Sequence, residues 1–296
     1  MVLLKQLLNQ DAVTLSVYSP DCIQSRLWGN LDSRISEATG LQVGYRQWIY
    51  HDVNSVERFY SGPGEEAASP QSTESPIERA RKLEDVPAEK LQSGHLVVRL
   101  LISGPSLLTI WHGDNAIQKL LALKGRTHPA QAEPHTIRGS FWCDNAVCNL
   151  IHSSDSTSEV ERELKAVGLG NLLDAEPQMG RIAQAHPDVE RSIAHSGIVS
   201  VCEVVNRVLE ITNDMPLLEY ELPQSGSARE TVENLTTVLQ SSALKLSSHP
   251  AAGFIEAYLR GDIVAVTAAM KQMPVTKWEH FVIQCSTLSR DRWLQQ

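Results

Sequence analysis

Apolar and polar positions divide the chain before any motif is considered. "AVTLSVY" (12–18) is dense in β-branched residues and ends at the turn residues of "SPD" (19–21), which predicts a strand. "RLWGNLDSRISEAT" (26–39) spaces its apolar residues near the helical period and stops before Gly40, a suitable C-cap. "LQVGYRQWIY" (41–50) predicts a second strand, and "DVNSVERFY" (52–60) a short helix with Asp52 as N-cap. Residues 61–76, "SGPGEEAASPQSTESP", offer almost nothing to bury and read as a surface insertion. The pattern then predicts a helix in 77–91, a strand at "SLLTIW" (106–111) and a helix at 114–123. A long loop with two prolines follows. "AVCNLIH" (146–152) reads as the last strand and "SEVERELKAVG" (158–168) as a helix. This alternation predicts an α+β arrangement, an antiparallel ferredoxin-like sheet with helices on one face.

From about residue 185 the period becomes helical throughout. Apolar residues recur at 198, 201, 205 and 208, and again at 232, 235 and 239. Pro250 suits a helix start, with Ser248 or His249 before it, and Gly261 suits a stop. We expect two domains, 1–185 with the insertion and an all-helical 190–296.

Composition narrows the function. Of 296 residues, 26 are Lys or Arg and 35 Asp or Glu, so the formal charge is 26 − 35 = −9. That disfavours a dedicated nucleic-acid binder, which would carry a basic face. Five cysteines without a C-x-x-C pair suit reduced thiols, and no apolar run reaches the ~20 residues of a membrane span. We expect a cytoplasmic protein without a membrane span. His128 and His135 have no third ligand at useful spacing, so no metal site is expected.

Three stretches carry a specific resemblance. "SGPSLLTIWHG", "GRTHPAQAEPHTIRGSF" and "NLIHSSDS", within residues 103–163, are similar in residues and spacing to the nucleoside diphosphate kinase family. A weaker likeness runs from 12 to 60. The resemblance covers roughly the first 60% of the chain and implies that family's fold. It also implies site roles. His152 would be the phosphoryl-accepting nucleophile, with Glu163 and Ser154 behind it. Asn149 would contact the sugar, Arg138 and Thr127 the phosphate oxygens, and Tyr60 would line the pocket. A neutral imidazole held at its far nitrogen keeps the near one free to attack.

The departures from that pattern bear on the chemistry. Ser19 stands where the family's turn has a lysine, and Leu121 stands where a second arginine is expected, six residues before Thr127. Ser153 replaces a glycine after the histidine, and the insertion falls where a base-stacking phenylalanine belongs. Losing a cationic donor at a transferring phosphoryl group costs on the order of 10²–10³ in rate.

Three readings remain open at this point. The favoured one is a repurposed pocket, an isomerase, lyase or cyclase of specialised metabolism. It would act on a partly hydrophobic small-molecule anion, a carboxylate or phosphate bound by Arg138, with His152 as acid or base and no cofactor required. The second is a weak nucleoside diphosphate kinase using ATP and Mg²⁺ through phospho-His152. The third is a non-catalytic interaction module. A homo-oligomer, a dimer, is expected in each case.

Overall fold

The computed structural model describes residues 3–60, 75–140, 144–175, 181–182, 201–211, 228–246 and 250–294. Chain contacts gather into two compact units. The first comprises Met1–Asp85, Val97–Lys124 and Leu150–Gly197; the second comprises Val86–Leu96, Gly125–Asn149 and Ile198–Gln296.

The first unit is built on one sheet. Its strands are β1 (Val13–Tyr18), β2 (Gln42–Tyr50), β3 (Pro105–His112), β4 (Ile151–Ser153) and β5 (Arg181–Ile182), in the order β4-β1-β3-β2-β5. The four strands β4, β1, β3 and β2 pair antiparallel, the order of a ferredoxin-like sheet. β5 adds itself parallel to β2. No pattern in the sequence announced so short a strand. Gly44 lies where the β2–β3 register shifts between Val43 and Tyr45, the usual place for a glycine inside a strand.

Helices of this unit are α1 (Leu4–Asn9), α2 (Pro20–Gln24), α3 (Trp28–Thr39), α4 (Val53–Tyr60), α5 (Pro76–Glu84), α6 (Ser93–Ile102, whose first residues fall in the second unit) and α7 (Ala116–Lys124). With α8 (Ile137–Ser140) in the second unit, the next in the first is α9 (Thr157–Ala166). Leu15 and Val17 of β1, Ile49 of β2 and Leu108 and Ile110 of β3 pack with Leu4, Leu8, Phe59, Val160 and Leu164, so α1, α4 and α9 cover one face. Every residue of β1 is buried, which helices on one face alone cannot achieve. The alternate residues Thr14, Ser16 and Tyr18 are covered too, and α7 packs on β1 and touches α3. The polar members of that second face are tied: Trp111 Nε1 donates to Ser16 Oγ at 2.8 Å, and Tyr18 donates to Asp32 at 2.7 Å.

Local signals placed most of these elements. Gly40 closes α3 at φ 73°. The Asp52 carboxylate accepts from the Ser55 N–H at 2.6 Å and opens α4. Of the expected insertion, 61–74 lies outside the described residues, while Ser75 and Glu78 form a capping box at the start of α5. The helix expected over 77–91 is shorter. It stops at Glu84, Pro87 precedes a 3₁₀ turn at Ala88–Lys90, and α6, absent from the sequence reading, takes "SGHLVVRLLI".

The strand expected at 146–152 is corrected to Ile151–Ser153. The Asn145 side-chain oxygen accepts from the backbone N–H groups of Val147 (2.9 Å) and Cys148 (2.6 Å), winding that segment into a turn. Leu150 then takes φ 74°, a left-handed value rare for a branched side chain.

The second unit is mainly helical: α10 (Val201–Ile211), α11 (Ala228–Lys245), α12 (Pro250–Leu259), α13 (Ile263–Met270) and α14 (Lys277–Leu294). Their apolar stripes share one core, with Val204 and Val208, Leu235 and Leu239, Phe254 and Tyr258, Val266 and Met270, and Ile283 among its members. Burying each such side chain contributes roughly 1.5–3 kcal/mol. Gly261 turns α12 into α13 at φ 69°, and Asp262 caps α13 by accepting from Ala265 N–H at 2.9 Å. Arg207 of α10 pairs with the buried Glu279 of α14.

Candidate functional site

β4 is short, yet it positions the histidine. His152 lies opposite Val17 of β1, so its ring leaves the sheet on the face covered by α4 and α9. Ser156 opens α9 directly after the strand by accepting from Glu159 N–H at 3.3 Å. One turn further on, Glu163 returns toward the sheet fully buried. Its Oε1 lies 2.9 Å from His152 Nε2, and its Oε2 accepts from Ser154 Oγ at 2.5 Å. Arg162 Nη2 stands 3.6 Å from the same carboxylate and donates to the Phe59 carbonyl at 3.2 Å. A buried carboxylate is tolerable because each oxygen has a partner and a cation is close.

This arrangement decides the tautomer. A carboxylate only accepts, so Nε2 carries the hydrogen and Nδ1 keeps its lone pair. Among the described residues no hydrogen bond reaches Nδ1. Two aromatic edges flank the ring, Phe59 at 5.1 Å and Tyr60 at 5.7 Å between centroids. Tyr60 is itself half exposed. His51 is the next buried titratable group; its ring meets Phe59 at 5.5 Å. Burial pushes its pKa down to about 4, against the pull of Asp52 and with a smaller push from His152.

The turn before α2 contributes a second device. Asp21 is fully buried, accepts from Ser19 Oγ at 2.5 Å and from the Leu150 N–H at 3.0 Å, and so grips the strained residue just ahead of β4. Burial raises its carboxyl above the usual range, and these two donors pull it back. Ser19 is therefore turned toward Asp21. Leu121 sits half-buried on α7 with nothing to donate. Lys124, at the end of α7, is buried and donates to the Ser153 carbonyl at 3.1 Å and to Asp155 at 3.0 Å. Its charge braces the strand beside His152.

Within the second unit, Arg138, Thr127 and Asn149 are brought together. Thr136 opens α8, its hydroxyl donating to the Glu133 carbonyl at 2.7 Å and accepting from Gly139 N–H at 3.1 Å. A Cβ on Gly139 would stand 2.0 Å from that carbonyl, so only glycine permits the turn that aims Arg138. The Arg138 guanidinium donates to the carbonyls of Asn149 and Gly125, both at 3.4 Å, and to Asn149 Oδ1 at 3.3 Å. Asn149 in turn donates to the Thr127 carbonyl at 3.1 Å, and Thr127 itself is exposed.

Sequence reasoning put His152, Glu163 and Ser154 in one pocket with Arg138, Thr127, Asn149, Tyr60, Ser19 and Leu121; the structure brings His152, Glu163, Ser154 and Tyr60 together in the first unit and Arg138, Thr127 and Asn149 together in the second. Sequence reasoning missed Asp21, Phe59 and Arg162. "SPD" held the signal for Asp21, since an aspartate in a turn seeks backbone N–H groups. Phe59 and Arg162 stand next to Tyr60 and Glu163 but carry no sequence signal of their own.

The family model for nucleoside diphosphate kinase matches residues 89–167. A nucleoside diphosphate kinase of Pyrobaculum aerophilum is 30% identical over 171 residues, covering 51% of this chain and 92% of its own. One from Legionella pneumophila is 30% identical over 153 residues, covering 51% of this chain and 89% of its own. The crystal structure of an NDP kinase from Pyrobaculum aerophilum aligns at a TM-score of 0.40 with 26% identity, covering 55% of this chain and 99% of that one. On the strength of these relatives, the chain belongs to the nucleoside diphosphate kinase family.

Proposed function

We propose that this chain transfers the terminal phosphoryl group of a nucleoside triphosphate through a phosphohistidine at His152, slowly. The observation that carries the reading is the Glu163 carboxylate on Nε2, which leaves Nδ1 with its lone pair. In the forward half-reaction Nδ1 attacks the γ-phosphorus, the bond to the β-phosphate oxygen breaks, and the nucleoside diphosphate leaves. Positive charge developing on the imidazole is stabilised through Nε2–H by Glu163, itself held by Ser154. In the second half a diphosphate oxygen takes the phosphoryl group and Nδ1 regains its lone pair. Arg138, Thr127 and Asn149 would serve the phosphates and sugar, as the family relation implies. In this reading Mg²⁺ arrives as part of the nucleotide substrate. Among the described residues no helix is long and apolar enough to cross a membrane. We place the protein in the cytoplasm as a homo-oligomer, on the strength of the family relation alone.

The slowness follows from two side chains. Ser19 is committed to Asp21, and Leu121 offers no charge where a transferring phosphoryl group needs cations. These same features favour a second reading, the repurposed pocket, in which His152 handles a proton on a partly hydrophobic anion and no phosphoryl group moves. A coupled assay of transfer from ATP to a nucleoside diphosphate separates the two. We expect measurable turnover in the wild type, loss of at least ~10³-fold in His152→Ala, and a gain of about tenfold or more in Ser19→Lys. Wild-type turnover equal to that of His152→Ala would hand the site to the second reading.

A further inference from the structure

The second unit holds a cavity of about 250 Å³ between α11 and α14, lined by Arg229, Glu233, Thr236, Arg290 and Trp293 among others. Arg290 is its unusual member. The residue is 2% exposed, donates through Nη2 to Thr236 Oγ1 at 2.7 Å, and lies 5.5 Å over the Tyr258 ring. Its Nε is buried without a hydrogen-bond partner among the described residues. An arginine has five N–H donors and stays charged, so a buried one with an open donor on a cavity wall favours an anionic guest. Asp144 is a buried acid whose charged form this guanidinium favours; its Oδ1 accepts from Ser286 and Asn145, both at 2.7 Å, and its Oδ2 has no hydrogen-bond partner among the described residues.

The rim adds the other elements of a binding site. Arg229 brings a second guanidinium, donating to the Ala130 carbonyl at 2.7 Å and standing 3.8 Å from the exposed Glu233. With Arg229, Arg290 and Glu233 counted, the lining carries a net positive charge of one. Trp293 supplies a flat apolar wall and is fixed by donating from Nε1 to the Asp144 carbonyl at 2.8 Å. Cationic forks beside an indole face suit a planar organic body with one oxyanion head.

We propose that this cavity is a binding site for a small aromatic oxyanion, its head held by Arg290 and Arg229 and its ring against Trp293. The shared chemistry admits a carboxylate or a phosphate monoester, so benzoate and phenyl phosphate are the probes. Calorimetric titration of the full chain at constant ionic strength is expected to show saturable binding of one of them. The stronger probe identifies the head group. Arg290→Gln and Arg229→Gln should each weaken it at least tenfold, and Arg138→Ala should leave it unchanged. Arg229 is at the rim, so its variant tests the site even where the loss of buried Arg290 prevents folding. In the wild type the tryptophan emission should change on binding, and that change should vanish in Trp293→Phe. Two results overturn the inference: neither probe binds more tightly than chloride, or binding is lost in Arg138→Ala and indifferent to Arg229→Gln.

Discussion

At the scale of single residues, the protonation pattern of the buried histidines has measurable consequences. His128 is 2% exposed, accepts from Ala130 N–H through Nδ1 at 3.1 Å, and faces the Ser289 carbonyl with Nε2 at 3.2 Å. A carbonyl only accepts and an amide N–H only donates, so one tautomer of the neutral ring satisfies both. A second proton on Nδ1 would displace the Ala130 bond. Burial accordingly pushes its pKa down to about 4, as it does for His51. Because the folded value is depressed, the stability this contributes is complete above pH 6.5 and is lost as pH falls toward 4. The loss should be about 1–3 kcal/mol per histidine. Urea unfolding at pH 7 and pH 4.5 should therefore differ, and His128→Gln should reduce the difference; an unchanged pH slope in that variant would contradict the assignment. None of this was legible in the sequence. "THPAQ" shows a histidine before a proline, and nothing in it says that the ring faces a carbonyl from residue 289.

At the scale of elements, the sequence was most informative where a local cap or a plain period decided the outcome. Asp52, Gly40 and Gly261 ended or opened helices as their chemistry requires. It was least informative where a side chain overrode a period. "AVCNLIH" has strand composition throughout, yet Asn145 bends its first half into a turn and Leu150 adopts φ 74°. That strained residue survives because Asp21 holds its N–H and Ser19 N–H donates to its carbonyl at 3.2 Å. An asparagine at 21 would set an amide N–H₂ against one of two donors, Ser19 Oγ or Leu150 N–H. Asp21→Asn should cost on the order of 1–3 kcal/mol in denaturant unfolding and should lower transfer activity by loosening the strand that carries His152. Wild-type stability in this variant would remove Asp21 from that role.

At the scale of the whole molecule, the relatives account for about half of the chain, and the rest is organised by its own core. Segments 86–96 and 125–149 cluster with the C-terminal helices rather than with the sheet, although both lie within the part of the sequence that resembles the family. Linear reading could not show this, because contact membership depends on long-range pairs such as Ser286 with Asp144 and Trp293 with the Asp144 carbonyl. The histidine–glutamate pair was legible because family spacing carries it. Of its neighbouring cations the sequence shows two absences, Ser19 and Leu121, and one substitute from the loop, Lys124, which the structure finds bracing Ser153 and Asp155.

Everything proposed for this site turns on His152 Nδ1 accepting a phosphoryl group. Intact-mass spectrometry after incubation with ATP and Mg²⁺, wild type beside His152→Ala, tests it most directly. The wild type should gain one phosphoryl adduct, labile to acid and discharged by a nucleoside diphosphate, and the variant none. An unmodified wild type, or an equal adduct on both proteins, would contradict it.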